Sequence, residues 1–323
     1  MFEAFGFSQR LLAEAYWVNE TVFWRPDETD RSHIVRTGRV QDVEDGLSEF
    51  PHVNVNQARV HDYLRESMRR SPRRLEPDYG LELTGLTVAD SGEYPVTVTL
   101  RCTDARREGE EVFVRARYVV GCDGARSVVR RSIGRELRGD VANHAWGVMD
   151  VLAVTDFPDI RIKAAIQSAN QGNIVLIPRE GGYLVRLYVD LGEVDPDDRR
   201  AVRNMSSDEV IGAAQRVLHP YTLDVKDIAW FSIYEVGQRL TDNFDDVPIE
   251  CAASRSPHVF IAGDACHTHS AKAGQGMNVS MQDAFNLGWK LAAVLEGRSP
   301  ASLLNTYSAE RQPVAHALID FDK

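Results

Sequence analysis

The sequence predicts an α/β (α+β) protein in which one domain is interrupted by an inserted mixed β-sheet and resumes towards the C-terminus. Three observations carry that expectation. Two short apolar runs end in acidic turns far apart in the chain, VVGCDG at 119–124 and VFIAGD at 259–264. Between them, HAWGVMDVLAVTDFP, RIKAAIQS, GNIVLIPRE and GGYLVRLYVDLG read as sheet strands joined by short turns. After the second run, residues 279–296 and 302–321 read as helices. The expected limits are 1–141 and 246–323 for the two parts of the divided domain and 142–245 for the sheet.

Each element has a local reason. Residues 2–16 read as a helix already under way, with apolar Phe2, Phe5, Leu11, Leu12 and Tyr16 and no cap before it. TVFWRP (21–26) and RSHIVRTGRV (31–40) are strand-like. Residues 56–70 form an amphipathic helix with Val60, Leu64 and Met68 on one face and Asn54 or Asn56 as its cap. Strands near 81–86, 96–102 and 111–118 alternate as an antiparallel meander that leads into Gly121. A helix over 207–218 and a strand near 227–234 complete the inserted region, and the polar stretch 235–248 leads back.

Bulk properties exclude several classes. A formal net charge of -11 argues against nucleic acid or an anionic membrane as the main partner. No apolar run is long enough to span a bilayer, and MFEAFGFSQR lacks the pattern of a secretory signal. Cys102, Cys122, Cys251 and Cys266 have no C-x-x-C spacing and read as reduced thiols of a cytoplasmic protein. His267 and His269 stand two apart in a loop without a third ligand, so no metal site is expected.

The richest segment is VFIAGDACHTHSAKAGQG (259–276). A strand delivers Asp264 to its tip, where a carboxylate can accept hydrogen bonds from cofactor hydroxyls. Gly274, Gln275, Gly276, Met277 and Asn278 then open a long helix, whose unpaired N–H groups suit a developing negative charge. The second segment, GCDGARSVVR (121–130), sets Asp123 in a tight turn ahead of a basic helix start.

Together these segments resemble the D-G-x-x-S-x-V-R and G-D-A-x-H…G-Q-G-x-N fingerprints of the class A flavoprotein aromatic hydroxylases. YEVGQR (234–239), HTHSAKAGQGMNVSMQDAFNLGWKLA and YSAERQPVAHALIDFD narrow the resemblance to the phenol 2-monooxygenase and 3-hydroxybenzoate 4-monooxygenase branch. It implies an FAD-binding domain of the p-hydroxybenzoate hydroxylase type, with the inserted sheet as substrate domain. Relatives begin with a βαβ unit carrying G-x-G-x-x-G, and an active-site Asp lies upstream of the first residue here. They also carry a thioredoxin-like domain beyond the last. The sequence therefore reads as truncated at both ends, without its first βαβ unit, and is expected to bind FAD poorly as it stands.

The resemblance also implies roles. Asp264 would bind the FAD ribityl chain, and Gly274–Asn278 would face the flavin N1–C2=O edge. Asp123 would sit near the flavin and the nicotinamide donor, Gln57 and Arg59 near the FAD diphosphate and ribityl region. Tyr188 would meet the substrate phenol or the flavin edge, Arg179 the flavin. His52 and Lys163 would hold a substrate carboxylate. Arg126 and Arg130 serve cofactor phosphates or a solvated basic face. Each of the others also has a plain alternative as a cap, turn, surface or half-buried structural residue. Many relatives have Pro where this chain has Ala271, a difference that relaxes the loop over the flavin.

The implied reaction uses FAD, NADPH or NADH, and O2. A flavin C4a-hydroperoxide hydroxylates a phenolic ring, foremost 3-hydroxybenzoate to 3,4-dihydroxybenzoate. Phenol to catechol, a related FAD enzyme without hydroxylation, and a non-catalytic fragment stay as alternatives. Homodimers are usual in the family.

Overall fold

In the computed structural model, residues 1–50, 52–193, 204–251, 254–269 and 274–322 are described. The chain opens with α1 (Ser8–Glu14), β1 (Tyr16–Trp17), β2 (Glu20–Pro26), β3 (Ile34–Gln41), β4 (Val53–Asn54) and α2 (Gln57–Arg70). There follow β5 (Leu81–Val88), β6 (Val96–Cys102), β7 (Glu111–Ala116), β8 (Val119–Gly121), α3 (Val128–Ser132) and β9 (Arg138–Thr155). Next come β10 (Lys163–Gln167), β11 (Asn173–Pro178), β12 (Leu184–Glu193), α4 (Ser207–Leu218) and β13 (Leu223–Leu240). The last elements are β14 (Val259–Ile261), β15 (His267–Thr268), α5 (Gly276–Leu295) and α6 (Thr306–Asp322).

Contacts divide the chain into two units, residues 1–76 with 143–235 and residues 77–142 with 236–323. In the first, strands lie in the order β13-β9-β12-β11-β10-β2-β3. β2 pairs with β10 in parallel, whereas β2–β3, β10–β11, β11–β12 and β12–β9 are antiparallel. Alternation sorts the side chains. Val22, Trp24, Met149, Val151, Ala164, Ile166, Ile174, Leu176, Val185, Leu187 and Val189 fill a buried core with Val210, Ala214, Val217 and Leu218 of α4. Each such aliphatic burial is worth about 1.5–3 kcal/mol. α4 starts cleanly because Ser206 and Glu209 form a reciprocal capping box.

In the second unit, β5-β6-β7 form the expected meander, and β8 pairs in parallel with β14. Val259, Phe260 and Ile261 are fully buried beside Phe244, Leu287, Leu304 and Tyr307. The Tyr307 hydroxyl donates to the Ile261 carbonyl at 2.8 Å, which gives a buried phenol its partner. Among the described residues, no helix is long and apolar enough to cross a membrane.

Three expectations change. The first helix covers only Ser8–Glu14, because Gly6 at φ 75° turns the chain and Phe7 offers no side-chain cap. Residues 1–76 group by contacts with the sheet rather than with the divided domain, because β2 lies against β10 with Thr21 opposite Lys163. β13 extends through the polar stretch to Leu240, since backbone pairing of Arg239 with Thr268 does not need apolar side chains.

Packing of α4 on the sheet is tight at Gly147, where an added Cβ would stand 2.5 Å from Val210 Cγ1. Gly147→Ala is expected to destabilise the sheet unit by about 1–3 kcal/mol through overpacking. Thermal denaturation of purified protein tests it, and an unchanged midpoint would contradict this packing.

Candidate functional site

β14 ends in a 3-10 turn, Gly263–Ala265, that leaves Asp264 exposed at its tip. Gly263 has φ 61°, and a Cβ there would meet Ser280 of α5 at 3.0 Å, so only glycine brings the turn this close to the helix. α5 begins at Gly276 after Gln275, with no side-chain cap over its first N–H groups. Asn278 Nδ2 donates instead to Gln275 Oε1 at 2.9 Å. An exposed carboxylate and an uncapped 20-residue helix start thus stand on packed neighbours. The pair fits a group with hydroxyls and a delocalised anion, as FAD has. Ala271 lies outside the described residues.

The Asp123 carboxylate accepts from its own loop, from the Ser127 hydroxyl, Val128 N at 2.7 Å and Val129 N at 3.0 Å. These contacts are those of a helix-start cap. Arg130 is not a solvated cation. It is buried, with Nη1 donating to the Ala265 carbonyl at 3.0 Å and Nη2 to that of Ala125 at 2.8 Å, so it ties the Asp123 loop to the Asp264 turn.

Beneath that turn lies a group the sequence reading did not identify. Asp283 of α5, fully buried, accepts from Gly263 N at 3.2 Å, His267 Nε2 at 2.8 Å and Arg311 Nε of α6 at 2.7 Å. His267 therefore belongs to a buried ion-pair network. Nothing in its local sequence marks Asp283, because its partners lie 16 and 28 residues away. Among the described residues, no group of three or more His, Cys, Asp or Glu could hold a metal.

In the sheet unit, the face opposite the α4 core carries the polar residues. Arg186 forks onto Asp150, with Nε and Nη2 each 2.7 Å from a carboxylate oxygen. Its guanidinium also lies 5.1 Å from the Trp230 ring centroid, and Tyr188 stands two residues along the same strand face. Burial works against that charge, but the bonds from Asp150 and Tyr188 raise its pKa further. Arg179, buried, bonds Glu180 Oε1 at 2.9 Å and stands 3.9 Å from Asp150. Extending the register, Lys163, Ile177, Arg186 and Asp150 form one row across β10, β11, β12 and β9. Tyr188 is in the adjacent row.

His52 and Lys163 do meet, through a residue the sequence reading passed over. Asp42 Oδ2 bonds His52 Nδ1, and Oδ1 accepts from Lys163 Nζ at 3.0 Å and Thr21 Oγ1 at 3.0 Å. Gln57 is exposed in the first turn of α2, which Asn56 caps. Arg59 is engaged within its own unit, as its Nε and Nη2 grip Glu14 at 2.8 and 2.7 Å over the Tyr63 ring.

Compared with known proteins, the chain matches the FAD binding domain family over residues 1–322. It is 62% identical to 3-hydroxybenzoate 4-monooxygenase of Comamonas testosteroni over 327 residues, covering 100% of this chain and 51% of that protein. It is 37% identical to a phenol 2-monooxygenase of Aspergillus fumigatus, covering 99% of this chain and 51% of that protein. Among solved structures, the flavin-dependent monooxygenase PieE in complex with FAD and substrate aligns with TM-score 0.74 at 24% identity, over 99% of this chain and 54% of that one. The p-nitrophenol 4-monooxygenase PnpA from Pseudomonas putida aligns with TM-score 0.75 at 20% identity, over 99% and 74%. These two likenesses bear out the expected fold. The chain spans about half the length of the curated relatives it matches.

Two outcomes follow from the ion pairs. Asp283→Ala strands the Arg311 charge in the core and is expected to cost about 3–5 kcal/mol. Removing Arg311 as well should recover part of that loss in a denaturation double-mutant cycle, and simple additivity would contradict the pairing. Hydrogen bonds from Arg59 and then Tyr63 lower the Glu14 pKa to about 2. Its folded pKa lies below the unfolded value, so this pairing stabilises above about pH 4.5 and is lost as pH falls towards 2. An NMR titration should place the Glu14 midpoint near 2, and Arg59→Ala should return it towards 4.5.

Proposed function

Since the chain belongs to the FAD binding domain family, we propose that it forms the cofactor- and substrate-binding part of an NAD(P)H-using aromatic monooxygenase. The favoured substrate is a phenol carrying a carboxylate, with 3-hydroxybenzoate converted to 3,4-dihydroxybenzoate. The observation that supports this choice most is the polar sheet face, with Lys163 and His52 on one side and Arg186 with Tyr188 on the other. Lys163 and Arg186 are two strands apart in one row, about 10 Å at the usual strand spacing. A hydroxybenzoate with a hydrogen bond of about 2.8 Å at each end has a similar span.

Asp264 and the N–H groups of 274–278 would hold FAD. When bound, FAD supplies the electron transfer from NAD(P)H and the activation of O2, one oxygen atom entering the ring and the other leaving as water. The chain's own residues bind and orient. Lys163 Nζ and His52 would donate to the carboxylate and fix the direction of the ring. Arg186 and Tyr188 share one face of β12, where the Tyr188 hydroxyl would donate to the substrate's phenolic oxygen. The guanidinium beside it favours negative charge there, and a phenolate is the richer nucleophile. Arg179 reinforces the positive field around Asp150. Asp123, as a cap, would shape the loop on the nicotinamide side. Free cysteines fit the reducing cytoplasm, the location we propose.

Phenol itself is the second reading, because Asp42 already offsets the Lys163 charge. The full-length, FAD-loaded enzyme separates them. Oxidation of NADPH should be stimulated by 3-hydroxybenzoate well beyond phenol, with 3,4-dihydroxybenzoate as product, and stimulation by phenol alone would overturn the choice. Lys163→Met should raise KM for 3-hydroxybenzoate about 10–100-fold, the value of one charge-assisted hydrogen bond, with a smaller effect on kcat.

A further inference from the structure

We propose that Asp42 is the positioning residue of the carboxylate site, fixing His52 in the tautomer that makes carboxylate binding take up one proton. The inference rests on the reading of His52 and Lys163 as that site. Asp42 follows β3 directly, and its side chain is only 10% exposed. Both oxygens are engaged, one by Lys163 and Thr21 and the other by His52 Nδ1. Burial opposes its charge, but hydrogen bonds from His52 and Lys163 outweigh that and hold its pKa below the usual carboxylate range.

An ionised carboxylate only accepts hydrogen bonds, so the nitrogen it meets must carry the proton. Neutral His52 is then the Nδ1–H tautomer, and its Nε2 presents a lone pair that repels a carboxylate. Protonated at Nε2, the same ring donates to it. The linked step is therefore a single proton joining Nε2 from solvent as the anion docks, with no other bond made or broken.

Among the described residues, the groups around His52 support no competing source for that proton. Glu20 of β2 lines the same cleft of about 390 Å³ with Val18, Asn19, Gln41, Val43 and His52, and it is paired with Arg39 of β3. Asp45 accepts from Gln41 at 3.0 Å. Tyr16 of β1 donates its hydroxyl to the Arg161 carbonyl at 2.6 Å. Lys163 remains the second cation. Asp42, Lys163 and protonated His52 together carry one net positive charge, which matches one monocarboxylate.

The test uses the full-length, FAD-loaded enzyme as wild type, Asp42→Asn and His52→Gln, with flavin content and circular dichroism checked for each. Dissociation constants for 3-hydroxybenzoate and for phenol are read from the flavin absorbance change between about pH 5.5 and pH 8.5, where a histidine changes charge. In wild type the Kd for 3-hydroxybenzoate should rise about tenfold per pH unit on the alkaline limb while that for phenol stays level. His52→Gln should remove the slope. Asp42→Asn should flatten it to less than about threefold per unit, because the released neutral ring can present Nε2–H. A level 3-hydroxybenzoate Kd in wild type, or an undiminished slope in Asp42→Asn, would overturn the role of Asp42 and leave the carboxylate site standing. Failure of 3-hydroxybenzoate to bind wild type at any pH would overturn the site, and the role of Asp42 with it.

Discussion

Successive side chains of a strand point to opposite faces, and in the sheet unit this alternation is what separates core from site. On β12, Val185, Leu187 and Val189 enter the core beneath α4, while Arg186 and Tyr188 take the other face. Neighbouring strands repeat the division in register, so Asp150 of β9 and Lys163 of β10 reach the polar face beside them. A slip of one residue would drive Arg186 and Tyr188 into the core and expose the aliphatic set. Fixing the register for the sake of burial therefore also fixes where these polar side chains stand.

The second unit uses a buried charge to similar effect. An isolated carboxylate in a protein interior is unstable, and Asp283 is tolerated because Gly263, His267 and Arg311 satisfy it. The turn that carries Asp264 is thereby held from below by α5 and α6. Arg130 holds it from the side through the Ala265 carbonyl. A ligand-binding acid on a turn gains precision when the turn cannot move independently, which is the physical use of such supporting contacts.

Much of this was legible in the sequence, and the limit follows from the range of each signal. Period-two alternation in LVRLYVD and the Ser206–Glu209 capping box are local, so β12 and α4 stand where they were expected. The turn at Asp264 and the helix start after Gly274 were legible for the same reason, since strand tip, glycines and helix start adjoin one another. Pairing was not legible. TVFWRP reads as a strand, but nothing in it says that Thr21 will face Lys163 across a parallel register. Asp42 and Asp283 escaped notice, and Arg130 was read as serving phosphates or solvent, because their contacts are to Lys163, Arg311 and Ala265. Arg59 shows the converse, as a cation expected to face a ligand already has Glu14 as its partner.

Lys163 faces Asp42 and Arg186 faces Asp150, so each of these cations on the polar face already has a carboxylate beside it. A ligand anion arriving there gains less attraction than two bare cations would give, because part of that attraction is already satisfied. What the carboxylates supply in return is geometry. Arg186 is locked by two 2.7 Å bonds, and Lys163 is drawn to the same anchor as His52. A face built this way discriminates by position and by charge count more than by raw affinity. A second negative group on the substrate would meet Asp42 or Asp150 directly, and a neutral ring would leave the paired cations undisturbed. If the proposed site is the one used, its selection for a singly charged or neutral phenol rests on the counter-ions as much as on the cations.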